Sequence, residues 1–462
     1  MIRAIRNLHI PINRLPPEVL SRVLQHRGCG QDLVVATHVC QYWRSTLVSC
    51  PSLWTSIQLR STGDVDRALA YLQRSKSVTV DISVTLDSPQ DPNVLRHFAP
   101  HISRTRSFTM GGSFDVHMAS SLLLCNPASS LERLKICAEK PPVRAIAINN
   151  FLGQQAPSLR SAIFDGICPV LQSPFPLPSL TKLDLRLPRH MGSLSISSLL
   201  RLCAGCPRLQ KMRINIACET IQDVSFDQTA SLEELEELEY TTHTTVGRFL
   251  PFLKLPHLNL LLVSSSRLDK LADLLPHSGH ILLSGATTLS HFYDGGTQEV
   301  ELSGKGFNAS FTVYDNGEGA TSAGWFSDEK HIPFGRIEEL EFVGFYISAD
   351  FPIHLFKNAR KYRVTPWDGR IAESVLRLLY PCPETGVPCP SLRAIECTFR
   401  SPPESYMRSL ISLAREREQA GYRLEFIHVM GGQQLDPYLE GRLRKHVGEL
   451  FVCISEEEGE ED

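Results

Sequence analysis

The chain has 462 residues and a formal net charge of −3, and 42% of its residues are hydrophobic while 21% are charged. These values are typical of globular proteins, so the composition excludes a wholly disordered chain. The nearly neutral charge argues against a dedicated nucleic-acid binder. No segment reaches the ~18 consecutive apolar residues that cross a bilayer, so we expect no membrane partner.

Thirteen cysteines are scattered along the chain, and no long apolar run of the signal-peptide type precedes Pro11. We therefore expect reduced thiols and a location in the cytoplasm, the nucleus or both. Residues 1–10 are interpreted as an N-terminal extension. The acidic residues 456–462 are predicted to be a disordered tail.

Residues 11–59 predict a compact helical module. Pro16 and Pro17 suit the first turn of a helix, where the backbone nitrogen needs no hydrogen-bond partner. Glu18 follows where the helix dipole favours a carboxylate. The apolar face of this first helix consists of Val19, Leu20, Val23 and Leu24.

The first helix is predicted to end at Gly28 and Gly30, and a single second helix follows from about Asp32 until Pro51 stops it. Trp54 is expected to fold back and close the module. The apolar residues that recur at helical spacing in the second helix are Leu33, Ala36, Val39, Cys40, Trp43 and Leu47.

Two elements of this module resemble an F-box in their order and separation. They are LPPEVL at 15–20 and VCQYWR at 39–44, and the pair Leu53-Trp54 follows. The resemblance implies an F-box at 11–60 that docks onto a Skp-type adaptor and, through it, onto a cullin. A different interpretation is that the same residues pack on the next domain of the chain itself. The resemblance implies an adaptor-binding set of Leu15, Pro16, Glu18, Val19, Leu20, Val23, Leu24, Val39, Cys40, Trp43 and Trp54.

A degenerate repeat predicts the fold of residues 61–455. Each copy has a leucine, often preceded by Pro-Ser, then a polar residue and alternating apolar residues that indicate a short strand. The copies recur at roughly the 20–29-residue period of leucine-rich repeats. One copy cannot bury its own apolar face, so the copies must stack. The leading leucines are Leu131, Leu159, Leu180, Leu209, Leu232 and Leu258.

This body resembles the irregular leucine-rich-repeat region of many F-box proteins, especially the large fungal sets. The predicted fold class is therefore α/β: a small all-helical F-box, then an irregular solenoid of parallel strands alternating with helices. The pattern breaks at about 289–336, which predicts an inserted loop or hairpin, either on the recognition face or without a role. Residues 404–422 predict a helix, and 423–429 predict the strand that closes the stack.

Motifs of catalysis or metal binding are weak. SGKGF at 303–307 lacks the earlier glycine of a phosphate loop and predicts a turn. Cys203 and Cys206 have CxxC spacing without a second pair, which indicates buried cysteines rather than a metal site. We expect no enzyme, cofactor or metal. An enzyme within 289–336 would require a cluster of titratable groups in a pocket.

The preferred hypothesis is a substrate-recognition subunit of a cullin–RING, SCF-type ubiquitin ligase, whose repeat body binds an unknown target protein. Such a subunit acts by proximity and needs no catalytic residue. The alternative is a leucine-rich-repeat interaction scaffold without a ubiquitin role, in which the helices are a cap. Basic residues beside the strands fit either a phosphate-reading surface or an ordinary solvated face: Arg160, Lys182, Arg186, Lys211 and Arg213.

Overall fold

The structure is a computed structural model, and the chain divides into two compact units, Met1–Asp223 and Val224–Asp462. The predicted extension at 1–10, apart from residue 10, and the predicted tail lie outside the described residues. Those described are 10–27, 30–86, 92–114, 126–139, 146–147, 152, 156–167, 169–170, 177–189, 194–217, 220–221, 229–242, 249–265, 275–276, 283, 285–294, 297–314, 334–344, 351–366, 373, 375–382, 386–399, 403–431 and 434–454.

The first unit begins with short helices. The prediction of a helix after Pro16 is confirmed. The elements are the 3-10 helix Pro11–Arg14, α1 Pro17–Arg27, α2 Gly30–Thr37, α3 Gln41–Ser49 and the 3-10 helix Pro51–Trp54.

The prediction of a single second helix is wrong, because the chain breaks between α2 and α3. The amide of His38 donates to Val35 O and that of Val39 to Ala36 O, so the last turn of α2 is tightened. Cys40 then has extended backbone angles and starts α3. Gly30, predicted to end a helix, instead begins α2.

Parallel strands form the rest of the first unit, and they pair in the order of the sequence. These strands are β1 Ser56–Leu59, β2 Val80–Leu86, β3 Thr105–Gly112, β4 Arg133–Ala138, β5 Ser161–Asp165, β6 Lys182–Leu187 and β7 Lys211–Ile216. The helices between them are Thr62–Asp64 (3-10), α4 Val65–Arg74, α5 Pro92–Phe98, Ala99–Arg104 (3-10) and α6 Ile196–Ala204. Two-residue parallel pairs join Ile146–Ala147 to Pro169–Val170 and Leu194–Ser195 to Thr220–Ile221.

The repeated leucine follows the same turn in four copies of the first unit. Its amide donates to the carbonyl three residues earlier, as in Leu159 to Ala156 and Leu180 to Leu177. Proline occupies the second position of the turn in three of these copies, where its fixed φ is favourable. This geometry explains the Pro-Ser-Leu motif. The leading leucines of the four copies, all buried, are Leu131, Leu159, Leu180 and Leu209.

The second unit also consists mainly of parallel strands. The strands are β8 Glu237–Thr242, β9 Leu260–Ser265, β10 Ala286–Asp294, β11 Thr297–Gly304, β12 Phe307–Tyr314, β13 Glu339–Gly344, β14 Lys361–Pro366, β15 Ala394–Phe399, β16 Phe426–Gly431 and β17 Glu449–Ile454. Ala230–Ser231 pairs with Leu253–Lys254. The helices are Leu250–Phe252, Phe334–Arg336 and Ile353–Leu355 (all 3-10), α7 Glu404–Gln419 and α8 Pro437–Leu443.

Strands β10, β11 and β12 form an antiparallel insertion at the place where the repeat breaks. β12 pairs in parallel with β9 and β10 with β13, so the insertion lies between them and keeps the sheet continuous. Within the region predicted as an inserted loop or hairpin at about 289–336, the structure thus shows these strands as far as Tyr314, and 315–333 lie outside the described residues. The turn predicted at 303–307 is confirmed at Lys305–Gly306, and Gly306 has φ +77°.

The end of the second unit contains one element pair more than predicted. The helix and strand predicted at 404–429 are confirmed as α7 and β16, and Gly421 has φ +84° after the helix. β16 does not close the stack, however. Helix α8 follows it, and β17 then pairs in parallel with β16. Among the described helices, none is both long enough and apolar enough to cross a membrane.

Candidate functional site

Exposed apolar side chains are concentrated in the N-terminal helices. Val35 is 66% exposed and Val39 is 56% exposed, although β-branched apolar residues are usually buried. The large exposed apolar residues of the helical region are Ile10, Ile12, Val19, Val23, Val35, Val39 and Val48. Elsewhere in the described chain such residues are scattered singly, and they are Val78, Tyr422, Tyr438 and Phe451.

Helix α1 presents apolar side chains on two of its sides. Leu20 is completely buried, whereas Val19 and Val23 are 42% and 41% exposed. Because these valines are four residues apart, they lie on the same face of the helix. Pro16 and Glu18 are exposed beside them at its first turn. α1 therefore packs inward through Leu20 and leaves a second apolar face uncovered.

Hydrogen bonds from α3 hold the surrounding segments in place. The hydroxyl of Tyr42 donates to Leu15 O at 2.5 Å, and Trp43 Nε1 donates to Asn13 Oδ1 at 2.6 Å. Both bonds attach the segment before α1 to α3. Arg44 Nε donates at 3.0 Å to the carbonyl of Thr37, the last residue of α2. Three consecutive residues of α3 thus fix both neighbouring elements.

Trp54 connects the helices to the strands that follow. Its side chain is fully buried, and its Nε1 donates to Leu47 O at 2.8 Å. The ring packs edge-on against Tyr71 of α4, with 4.9 Å between centroids. The guanidinium carbon of Arg74 lies 4.4 Å from the indole centroid, in a cation–π contact. Burial also raises the pKa of Tyr71.

Residues 12–60 match the F-box-like family. The N-terminal helices form an F-box-like domain. Domains of this kind generally bind Skp-type adaptors, and the proteins that carry them are typically non-catalytic adaptors. No curated protein matches the chain. The large region that follows the F-box-like domain is mixed α/β.

The structure divides the residues predicted for adaptor binding by their exposure. The exposed ones are Pro16, Glu18, Val19, Val23 and Val39; the half-buried ones are Leu15, Leu24, Cys40 and Trp43; the buried ones are Leu20 and Trp54. In this conformation Leu20 and Trp54 have no surface to offer a partner, and they support the exposed residues from inside. Their predicted role in adaptor binding stays a prediction.

Sequence reasoning missed part of the F-box-like domain. Val35 and Val48 are exposed but were not among the predicted residues. Val35 had a detectable signal, because it precedes Val39 by four residues. Tyr42 and Asn13 were also missed, since polar anchors of a turn leave no periodic pattern.

Other candidate sites contain buried thiols. Cys203 and Cys206 are both buried, and burial raises the pKa of Cys206 to about 12, so the thiol stays protonated. Within the described ranges, no group of three or more His, Cys, Asp or Glu residues could hold a metal ion. His277 and His280 lie outside the described residues. The CxxC pair therefore packs as small apolar residues.

Arg417 of α7 is a buried cation that binds backbone. It is completely buried, and its Nη atoms donate to Leu379 O at 3.3 Å and to Pro388 O and Cys389 O at 2.9 Å. Burial lowers its pKa. The side chain joins α7 to the backbone of Leu379, Pro388 and Cys389, which is a structural role.

Proposed function

We propose that the chain is the substrate-recognition subunit of a cullin–RING, SCF-type ubiquitin ligase that works in the cytoplasm or nucleus. The F-box-like domain docks a Skp-type adaptor and through it a cullin. The strand-rich body binds a target protein and holds it near the ubiquitin donor, so catalysis is by proximity. The observation that carries the proposal is the exposure of four valines, Val19, Val23, Val35 and Val39, within the F-box-like match.

Burial of this surface supplies a physical reason for docking. Fully burying a valine side chain stabilises a complex by about 1.5–3 kcal/mol relative to leaving it exposed. An amphipathic helix whose uncovered face carries residues four apart is suited to a partner's apolar groove. Glu18, exposed at the start of α1, places a polar group at the rim of the same surface.

The body is proposed to be an irregular leucine-rich-repeat solenoid. Parallel strands paired in sequence order, a recurring turn and buried leading leucines support this interpretation. Each strand covers the apolar face of its neighbour, as stacked repeats require. The antiparallel insertion departs from the repeat but preserves the pairing on both sides.

A scaffold without a ubiquitin role is the second candidate, and the packing of Trp54 favours it. Trp54 joins the helices to α4, so the F-box-like domain also covers the start of the strand region. A cap of this kind needs no adaptor. The two candidate functions differ in the role of Val19 and Val23. Adaptor docking covers these side chains, whereas a cap leaves them exposed.

The test measures binding of a purified Skp-type adaptor to full-length protein by isothermal titration calorimetry. Val19→Asp/Val23→Asp should weaken binding at least about 100-fold, or roughly 3 kcal/mol, because two carboxylates would enter an apolar groove. Val78→Asp is the matched control, since Val78 is 36% exposed outside the helical region, and it should bind normally. Equal adaptor binding by the double variant would contradict the proposal, and no binding by wild type would favour the scaffold.

A further inference from the structure

The outward side of β4 to β7 carries a surplus of positive charge. Alternate residues of these strands point away from the core, and six of the outward residues are basic while two are acidic. We name this surface the basic face. Its basic residues are Arg133, Lys135, Lys182, Arg186, Lys211 and Arg213, and its acidic residues are Asp165 and Asp184.

Arginines of the face lie beside both acidic residues, and one of these, Asp184, is buried. Asp184 is 4% exposed, and Arg186 Nη2 lies 3.1 Å from its carboxylate. Arg213 Nη1 is 4.0 Å from the same carboxylate, and Arg186 Nη1 is 3.8 Å from that of Asp165. Asp184 is thus covered by arginines, and its charge is not displayed to a partner.

Three cations keep their charge at the surface. Arg133, Lys135 and Lys182 are exposed, and the two lysines form no ion pair within the described part of the chain. Arg133 approaches Asp81 at 3.9 Å, but that carboxylate is already held by Arg106 at 2.5 Å. Positive charge therefore extends from β4 to β6.

A small residue separates two of these cations. Arg133, Ser161 and Lys182 are aligned across β4, β5 and β6. Neighbouring strands are about 4.8 Å apart, so roughly 10 Å separates the backbones of Arg133 and Lys182, with the short Ser161 between them. Because the side chain of Ser161 is short, it leaves Arg133 and Lys182 accessible to a carboxylate from either side.

The outward strand residues described in the second unit have the opposite surplus of charge. The whole chain has a net charge of −3. The outward side of β8 to β15 in the second unit has an acidic surplus over Lys361 and Arg363, so it would repel a negatively charged ligand. Its acidic residues are Glu237, Glu239, Glu299, Glu301, Glu339, Glu341 and Glu396.

We propose that the basic face binds an extended segment rich in Asp and Glu in a partner protein. The partner is the ligase target only if the proposed function holds. The cations are spread over several strands instead of converging on one point, which suits successive carboxylates better than a single phosphate. Alternate side chains of an extended segment recur about every 7 Å, which is the spacing of Arg133 and Lys135 along β4.

Fluorescence anisotropy on the full-length protein tests the assignment. The probe is a labelled peptide of about ten residues that alternates Glu with Ser, and its Gln–Ser counterpart is the neutral control. The acidic peptide should bind with an affinity that falls as salt is added. Lys135→Glu/Lys182→Glu should weaken binding at least about tenfold. Lys305→Glu/Lys357→Glu makes the same charge change at exposed positions of the second unit and should bind normally.

Several results would overturn the assignment. They are no binding of the acidic peptide by wild type, equal weakening in both double variants, or tighter binding of a phosphoserine peptide or an oligonucleotide. Binding that appears only after residues 456–462 are removed would make the chain's own acidic segment the occupant. Adaptor binding is measured on the same proteins: Val19→Asp/Val23→Asp should lose the adaptor and keep the peptide, so the two proposals fail separately.

Discussion

The N-terminal helices and the parallel strands of the first unit place the same residue type in opposite environments. Val19 of α1 is 42% exposed, whereas Val84 of β2 is 1% exposed. In the strands, alternate residues point to a core that neighbouring strands complete. In the helices, the side chain of Leu20 points inward and is buried, while Val19 and Val23 remain exposed.

The difference shows how each region is completed. A strand of the stack obtains its neighbours from the same chain, so its apolar face is satisfied when the chain folds. The F-box-like domain buries one side in the chain through Leu20, Leu47 and Trp54. The same domain leaves Val19, Val23, Val35 and Val39 exposed, and these are the residues to which we assign docking of a second protein.

The largest expected difference in stability is between two single variants, one with a carboxylate in place of Val84 and one with a carboxylate in place of Val19. Val84→Asp should destabilise the protein by more than about 4 kcal/mol, because an unpaired charge would be buried. Val19→Asp should change stability by less than about 0.5 kcal/mol. Urea unfolding followed by circular dichroism measures both.

A milder pair keeps this comparison measurable if Val84→Asp does not fold. Val84→Ala should lower the free energy of unfolding by about 2 kcal/mol, and Val19→Ala should leave it nearly unchanged. Similar losses for both alanine variants would mean that Val19 is covered by the chain itself. The docking surface would then not exist.

Trp54→Ala is the second test, because Trp54 belongs to both regions. Its removal should cost about 3–5 kcal/mol, since a cavity forms between α3 and α4 and the contact with Arg74 is lost. Thermal unfolding checks the loss, and Trp54→Phe should recover part of it. A change below about 1 kcal/mol would show that the two regions are stabilised independently.

Much of the fold could be predicted because local patterns decide it. The period-two apolar pattern after each repeated leucine predicted strands such as β6. The turn that Pro-Ser forms before the leucine was found only in the structure. The break between α2 and α3 was missed because apolar spacing continues through Val39 and Cys40. The order of β9 to β13 also could not be read, since pairing across an insertion depends on distant strands.

The candidate site was predictable in its location but not in its exposure. Periodicity placed Val19 and Leu20 on one apolar face, and the resemblance to an F-box added Trp54 to the same set. Spacing cannot tell which apolar side faces the chain and which faces solvent, because that depends on tertiary packing. Leu20 and Trp54 were therefore predicted on equal terms with Val19, although only Val19 is exposed.

A smaller effect on stability is expected at Trp43. Its substitution tests how the helices are held in position rather than how they dock a partner. Trp43→Phe keeps a six-membered aromatic ring but removes Nε1 and its bond to Asn13 Oδ1, so stability should fall by about 1 kcal/mol. Asn13→Ala should cost about the same, and the double variant should lose no more than either single variant. Additive losses in this double-mutant cycle would mean that the bond does not hold the segment before α1.

The smallest effect concerns thiol reactivity, which reports burial without changing the fold. Burial raises the pKa of Cys206, Cys389 and Cys397 from 9.0 to about 12. Because the folded pKa is raised, this contribution to stability is complete below pH 9 and is lost as the pH rises towards 12. At pH 8, the exposed Cys453 should react first with a maleimide among the cysteines that the structure describes, followed by the half-buried Cys40 and Cys50 of the helical region, as measured by mass spectrometry of the digested protein.

Heating or urea should expose the buried thiols only when the protein unfolds. Cys453, which is exposed on β17, is the internal control that should react at once under all conditions. If Cys206 or Cys397 reacted in the folded protein as fast as Cys40, the strand region would open without global unfolding. The strand region would then open transiently although it is well packed, and both regions would expose apolar side chains to a partner.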